Sequence, residues 1–238
     1  MISRKIIRLL LVAGFVWLLP AEQTFSQSQD EKVAEREEKS VFWKRLFKKE
    51  QTPGEAVHPD LHEFTLEQNR IVPAISSKAL PQIRKVTAQE VRRLSKVKQM
   101  KVSSERDGEV IKIEIPMSQL FLPNDTLLWN RAGLTLQPLI RYLQIPDYYH
   151  ILVVAHSDDS GSAAYTEKLT RERVLAVKDW LLAYGALPEF VIAYAVGNRM
   201  PVSPNTSENS RERNRRLEVY LVPGEELILD AEKGKISL

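Results

Sequence analysis

Three charged side chains define the chemistry this sequence offers: Asp158 and Asp159 in a short polar turn, and Arg173 fifteen residues after Asp158. A carboxylate can accept from a cation, and a guanidinium can grip an anion. Two readings of these residues stand open. In the first, Arg173 is half-buried and needs an anion, because an unpaired buried charge is costly, and acids at the carboxyl end of a strand mark a ligand site. In the second, acid and Arg pair internally, or Arg173 reaches out to water.

The elements that must position these groups can be read from the pattern. Ile151-Leu152-Val153-Val154-Ala155 is a short, β-branched, apolar run, as expected of a buried strand. His156, Ser157, Asp158 and Asp159 leave its end, and Ser160-Gly161-Ser162 supplies turn chemistry. From Ala163 the period becomes helical. Leu169, Val177 and Leu181 share one row, with Trp180 and Tyr184 beside it, and Arg173 takes the missing place in that row.

Four stretches then occur in order: AHSDDSG, LTRERVLAV, GNRMPVSPN and RERNRRLEVYL. Their order and spacing, over roughly 97–222, resemble the OmpA-like C-terminal domain, a family that binds peptidoglycan non-covalently in the periplasm of diderm bacteria. The resemblance implies that Asp158 holds the ammonium, and Arg173 the carboxylate, of the stem peptide's diamino acid, usually diaminopimelate. It places Thr166, Ser157, Asp159 and Leu169 in the ligand-binding set, and His156, Gly161, Asn214, Arg215 and Arg216 among the structural motif positions. His156 is expected to shape the turn. Arg211, Arg213, Arg215 and Arg216 are expected to tie loops by salt bridges and secondarily to contact the wall. The sequence departs from the family pattern at Thr166, where Asn is usual, at Leu122, where many relatives have Asp, and at Ala155 and Val174, which replace Gly and Ala. A hydroxyl supplies only part of an amide's hydrogen bonding, so these departures thin the polar shell around the charged pair.

Composition excludes several classes. The chain has no cysteine, which removes disulfides, thiol catalysis, Cys-ligated zinc and a lipid-bearing cysteine. There is no Gly-x-Ser-x-Gly. His58 and His62 stand four apart, but around Pro59-Asp60-Leu61 and with no third ligand nearby, so they are read as coincidence. No enzyme, metal or cofactor is expected. Formal net charge is +3, yet Arg4, Lys5 and Arg8 against Glu22 account for two of those charges, and the chain beyond residue 28 is left at +1. That balance gives no support for nucleic-acid binding.

The amino terminus reads as an export signal over 1–28, expected to be cleaved, with an uncut anchor as the alternative. Arg4 and Lys5 precede an apolar core from Leu9 to Leu19, shorter than the roughly 20 residues a membrane span needs. Residues 29–86 are expected to be a charged, Pro-containing linker, too short and too charged for an eight-stranded barrel. Within it, 41–49 (VFWKRLFKK) clusters Phe42, Trp43, Leu46 and Phe47 among basic residues, so it either packs back on the domain or touches a membrane surface or another envelope protein. A Thr87–Glu90 capping box predicts the start of a helix at Thr87. The domain proper is expected over 87–223 and a tail over 224–238, with a short edge strand at Leu227-Ile228-Leu229. The predicted fold is α/β, a mixed sheet in β-α-β-α-β-β order with helices on one face. Hairpin strands are expected around Asp107-Gly108, and a helix over about 129–144 that Pro138 kinks or restarts. The expected function is peptidoglycan binding in the periplasm. The alternative is an envelope scaffold that uses the same fold without binding wall.

Overall fold

The computed structural model describes residues 61–236. The export signal over 1–28, the 41–49 segment, His58 and the linker up to residue 60 lie outside them. Five strands form one mixed sheet: β1 (Lys101–Glu105), β2 (Val110–Pro116), β3 (Tyr149–His156), β4 (Val191–Gly197) and β5 (Arg216–Pro223), in the order β1-β2-β5-β3-β4. β3 and β4 run parallel and every other pair is antiparallel. The helices are α1 (Leu66–Asn69), α2 (Leu80–Leu94), α3 (Ala132–Leu136), α4 (Ala163–Ala183), α5 (Glu208–Asn214) and α6 (Glu225–Lys233). The order from β2 onward is the expected β-α-β-α-β-β, with α5 inserted before the last strand and β1 added at the edge. No helix among the described residues is long and apolar enough to cross a membrane.

Alternation sorts the strands onto two faces. Ile111, Ile113 and Ile115 of β2 point to the same side as Ile151 and Val153 of β3 and Leu217, Val219 and Leu221 of β5. Ile83 and Leu94 of α2, Val174, Val177 and Leu181 of α4, and Leu227, Ile228 and Ala231 of α6 cover that side. All eight residues of β3 are buried, because its other face is covered too. There Leu152, Val154, Ile192, Tyr220 and Val222 pack with Leu66 of α1, and Leu61 lies against them.

That second cover corrects the linker expectation for residues 61–86. Leu66 and Asn69 are buried on the sheet, and Asn69 Nδ2 donates to the Tyr194 hydroxyl and to the Leu61 carbonyl, each at 2.6 Å. The helix expected to begin at Thr87 begins about two turns earlier, at Leu80. A capping box is worth about 1 kcal/mol, whereas burying one Ile side chain yields about 1.5–3 kcal/mol, and the earlier start buries Ile83 and Ala79. Thr87 is instead a buried mid-helix residue whose hydroxyl donates to the Glu109 carbonyl at 3.3 Å.

Two further expectations change. The tail over 224–238 holds no strand among its described residues. It forms α6, whose buried Leu227, Ile228 and Ala231 follow a helical period. The helix expected over 129–144 is α3 followed by a 3₁₀ segment, Gln137–Leu143, and the change falls at Pro138, which has no N–H to offer the ladder.

Candidate functional site

β3 and α4 bring the charged residues to one end of the sheet. A bulge between Ala155 and His156 ends the regular pairing of β3 with β4. The Ser157 N–H then donates to the Gly197 carbonyl at 2.8 Å, so the turn leaves the sheet at a fixed point. Ser162 caps α4 by accepting from the Tyr165 N–H at 3.2 Å. Gly161 leaves room for the Tyr165 ring, from which a Cβ would stand 2.6 Å unless the ring shifted.

Asp158 is 4% exposed. Its Oδ1 accepts from the Ser160 N–H at 3.0 Å and its Oδ2 from Arg215 Nη1. Burial acts to raise the pKa of this carboxyl. The Ser160 N–H and the Arg215 guanidinium outweigh it and hold the group below its usual range. Arg215 also donates through Nη2 to Glu208 of α5, so it bridges two acids.

Arg173 is 6% exposed on α4. Its Nε donates to the Asp125 carbonyl at 2.8 Å and its Nη2 to the Leu122 carbonyl at 3.3 Å. The guanidinium carbon lies 5.1 Å from the centre of the Phe121 ring, a cation–π contact. Among the described residues it forms no ion pair. Burial lowers its pKa, Tyr165 and Asp125 act in the opposite sense, and the Arg215 charge lowers it further. Arg215 therefore links the two halves of the site: it is bonded to Asp158, and its charge is felt at Arg173.

The remaining predicted residues fall into distinct roles. Asp159 is exposed on the turn. Ser157 and Leu169 are buried. Thr166 is buried, and its hydroxyl donates to the Ala163 carbonyl at 3.1 Å. Its neighbour Thr170, which sequence reasoning passed over, accepts from the Gly197 N–H at 3.1 Å and ties α4 to β4. Leu122 is half exposed at the lip that receives Arg173.

The motif residues form the frame. The Asn214 side chain is fully buried, and Oδ1 accepts from the Val202 and Ser203 N–H groups at 2.9 and 3.0 Å. Its Nδ2 donates to the Ser203 carbonyl and to Asn205 Oδ1 at 2.8 and 2.7 Å. Arg216 Nε donates to Glu218 Oε1 at 2.9 Å, and Lys112 Nζ reaches the same oxygen at 2.8 Å. Glu218 Oε2 accepts from the Tyr220 hydroxyl at 2.7 Å. It stands 3.3 Å from His156 Nε2, near enough for charge to act though off the axis of a directed hydrogen bond. His156 is thus a buried group beneath the turn. Arg213 donates to Ser203 Oγ at 2.6 Å, and Arg211 to Glu208. Of the four arginines, Arg215 alone joins the Asp158 turn to α5 by salt bridges, while Arg211 pairs with Glu208 in its own helix, Arg216 with Glu218 in its own strand, and Arg213 reaches the 200–205 loop by a hydrogen bond.

Comparison with known proteins agrees with this fold. The OmpA family model matches residues 120–215. Outer membrane protein A of Bordetella avium is 33% identical over 76 residues, which is 32% of this chain and 39% of that protein, so the chain spans well under half of that relative's length. A putative MotB-like protein from Desulfovibrio vulgaris shares the fold with a TM-score of 0.54 at 24% identity, over 60% of this chain and 95% of its own. The cell wall anchor of the T6SS from Pseudomonas aeruginosa gives 0.50 at 23% identity, over 58% and 96%. The family match spans both Asp158 and Arg173, and the sheet order is mixed as expected, so residues 120–215 of this chain resemble an OmpA-like domain in sequence pattern and fold.

Proposed function

We propose that the domain binds peptidoglycan non-covalently in the periplasm and anchors the chain to the cell wall, without turning the polymer over. The bound feature is the zwitterionic end of a diaminopimelate-type stem peptide, with its ammonium on Asp158 and its carboxylate on Arg173. The observation that carries this reading is Arg173 itself: a guanidinium 6% exposed, fixed by two main-chain carbonyls, with no carboxylate in ion-pair range among the described residues. A buried cation held this way is a ready partner for a ligand carboxylate. Two named similarities point the same way, one to an outer membrane protein and one to a cell wall anchor.

The test is retention of the purified protein on isolated sacculi. Removing one partner of a hydrogen-bonded charge pair costs about 2–5 kcal/mol, or roughly 30-fold to several-thousandfold in affinity. Asp158→Asn and Arg173→Ala should each lose retention while circular dichroism stays that of the parent, and no soluble muropeptide should appear. Folded variants that are retained like the parent would place the wall site elsewhere and leave Asp158–Arg215 as a structural clasp, whereas a parent that is not retained would leave the domain as an envelope scaffold.

A further inference from the structure

We infer that Arg215 sets the ligand selectivity of this site: as the resident counter-ion of Asp158, it makes the site accept a zwitterion and reject a bare cation. This inference rests on the reading of Asp158 as an ammonium acceptor and extends it to a residue that the motif pattern places mainly in the frame.

The geometry gives three reasons. Arg215 Nη1 already occupies Asp158 Oδ2, so an incoming ammonium must share that oxygen or displace the guanidinium. The Arg215 side chain is 31% exposed, so this ion pair lies at the mouth of the site and not beneath it. Glu208 holds the other arm of Arg215, so the guanidinium can turn away from Asp158 without losing every anion. A forked side chain is needed to bridge two acids in this way, and a lysine would serve one at a time.

Charge then decides what enters. The Arg215 charge acts at Arg173 and disfavours a further cation there. A simple amine approaching Asp158 meets two guanidiniums and brings nothing to offset them, and like charges placed together are costly. A ligand with a carboxylate on the same carbon as the ammonium supplies the missing anion, so both of its ends are favoured. Glu208 is a positioning residue in this arrangement, because its grip on Arg215 controls how much of Asp158 is left for the ligand.

Calorimetric titration of the full-length protein with diaminopimelate and with 1,5-diaminopentane tests the idea. The parent should prefer diaminopimelate by at least ~10-fold, and Arg215→Gln should shrink that preference by ~10-fold, chiefly by gaining affinity for the diamine. Glu208→Gln should move the preference the other way by a few-fold, since Arg215 is then left to Asp158 alone. Glu208 lies at an exposed helix start, so this variant decides the matter if Arg215→Gln fails to fold. An unchanged preference in a folded variant overturns the selectivity role while leaving wall binding intact. A parent that binds neither compound overturns the diaminopimelate reading itself, and this inference with it.

Discussion

Arg173 Nε donates to the main-chain carbonyl of Asp125 at 2.8 Å, across 48 residues of sequence. The Asp125 side chain in turn accepts from the N–H groups of Thr126 and Leu127 at 2.7 and 3.0 Å. Those two N–H groups hold its carboxyl below the usual range, against a burial effect that acts to raise it, and the Arg173 charge adds to the lowering. The helix cation is therefore fastened to a turn that is itself prefolded. One side chain fixes both the lip formed by residues 122–126 and the position of the charge that the lip frames.

Arg173→Lys keeps the charge and loses the fork, so the two carbonyls cannot both be served. Each buried carbonyl left without a donor costs about 1–3 kcal/mol, with partial relief because the lip is near solvent. We expect faster amide exchange confined to residues 120–128, a modest fall in melting temperature, and weaker sacculus retention than the parent. Unchanged exchange in that segment would show that Phe121 and the turn hold the lip without Arg173.

Asn214 is the fixed point of the loop beneath Arg215. Asn214→Ala removes four hydrogen bonds made from a side chain with no exposure. The loss should come to about 3 kcal/mol, or roughly 6–12 °C in melting temperature for a domain of this size. Asn214→Asp keeps the acceptor for Val202 and Ser203 but turns an anionic oxygen toward the Ser203 carbonyl. It should be at least as destabilising at pH 7 and recover in part as the new carboxyl is protonated. A melting temperature within a degree of the parent for both would mean that the 200–205 loop does not depend on this side chain.

Periodicity made much of this architecture legible. The alternating Ile111, Ile113 and Ile115 mark an inward face with no need of tertiary information, and the row Leu169, Val177, Leu181 marks α4 together with the odd placement of Arg173. Leu227-Ile228-Leu229 has no such period: three consecutive apolar residues suit a strand or a helix equally, and packing against α2 decides for helix. Leu61, Phe64 and Leu66 show no sustained period, and the face of β3 and β5 opposite the main core explains why Leu66 is buried. In the site, the types and spacing of Asp158 and Arg173 mark both as charged positions of interest, but their actual partners are remote in sequence. Which of Arg211, Arg213, Arg215 and Arg216 meets Asp158 depends on where α5 stops and β5 begins. The backbone leaves helical geometry at Arg215, between the end of α5 and the start of β5. No count of residues predicts that.

The network beneath the turn makes stability depend on pH in a definite direction. His156 is faced by Glu218 and Arg216 of β5 and by Lys112 of β2, and burial, the largest influence, lowers its pKa below 6.5. Below pH 6.5 the unfolded chain therefore takes up a proton that the folded chain refuses, and stability falls as pH falls. Glu218 adds a second stage in the same sense. Burial acts to raise its pKa, but His156, Lys112 and Tyr220 outweigh it and hold the carboxyl far below 4.5. Its contribution is complete above pH 4.5 and is lost progressively as pH drops toward the folded-state value. Urea midpoints should thus be level between pH 8 and 7, decline below about 6.5, and decline more steeply below about 4.5. His156→Gln keeps a neutral donor near Glu218 and removes the titrating ring, so it should abolish the first decline and spare the second. If His156→Gln declines between pH 7 and 5 as the parent does, the proton is taken up elsewhere and the buried imidazole is not the group that couples this face of the sheet to pH.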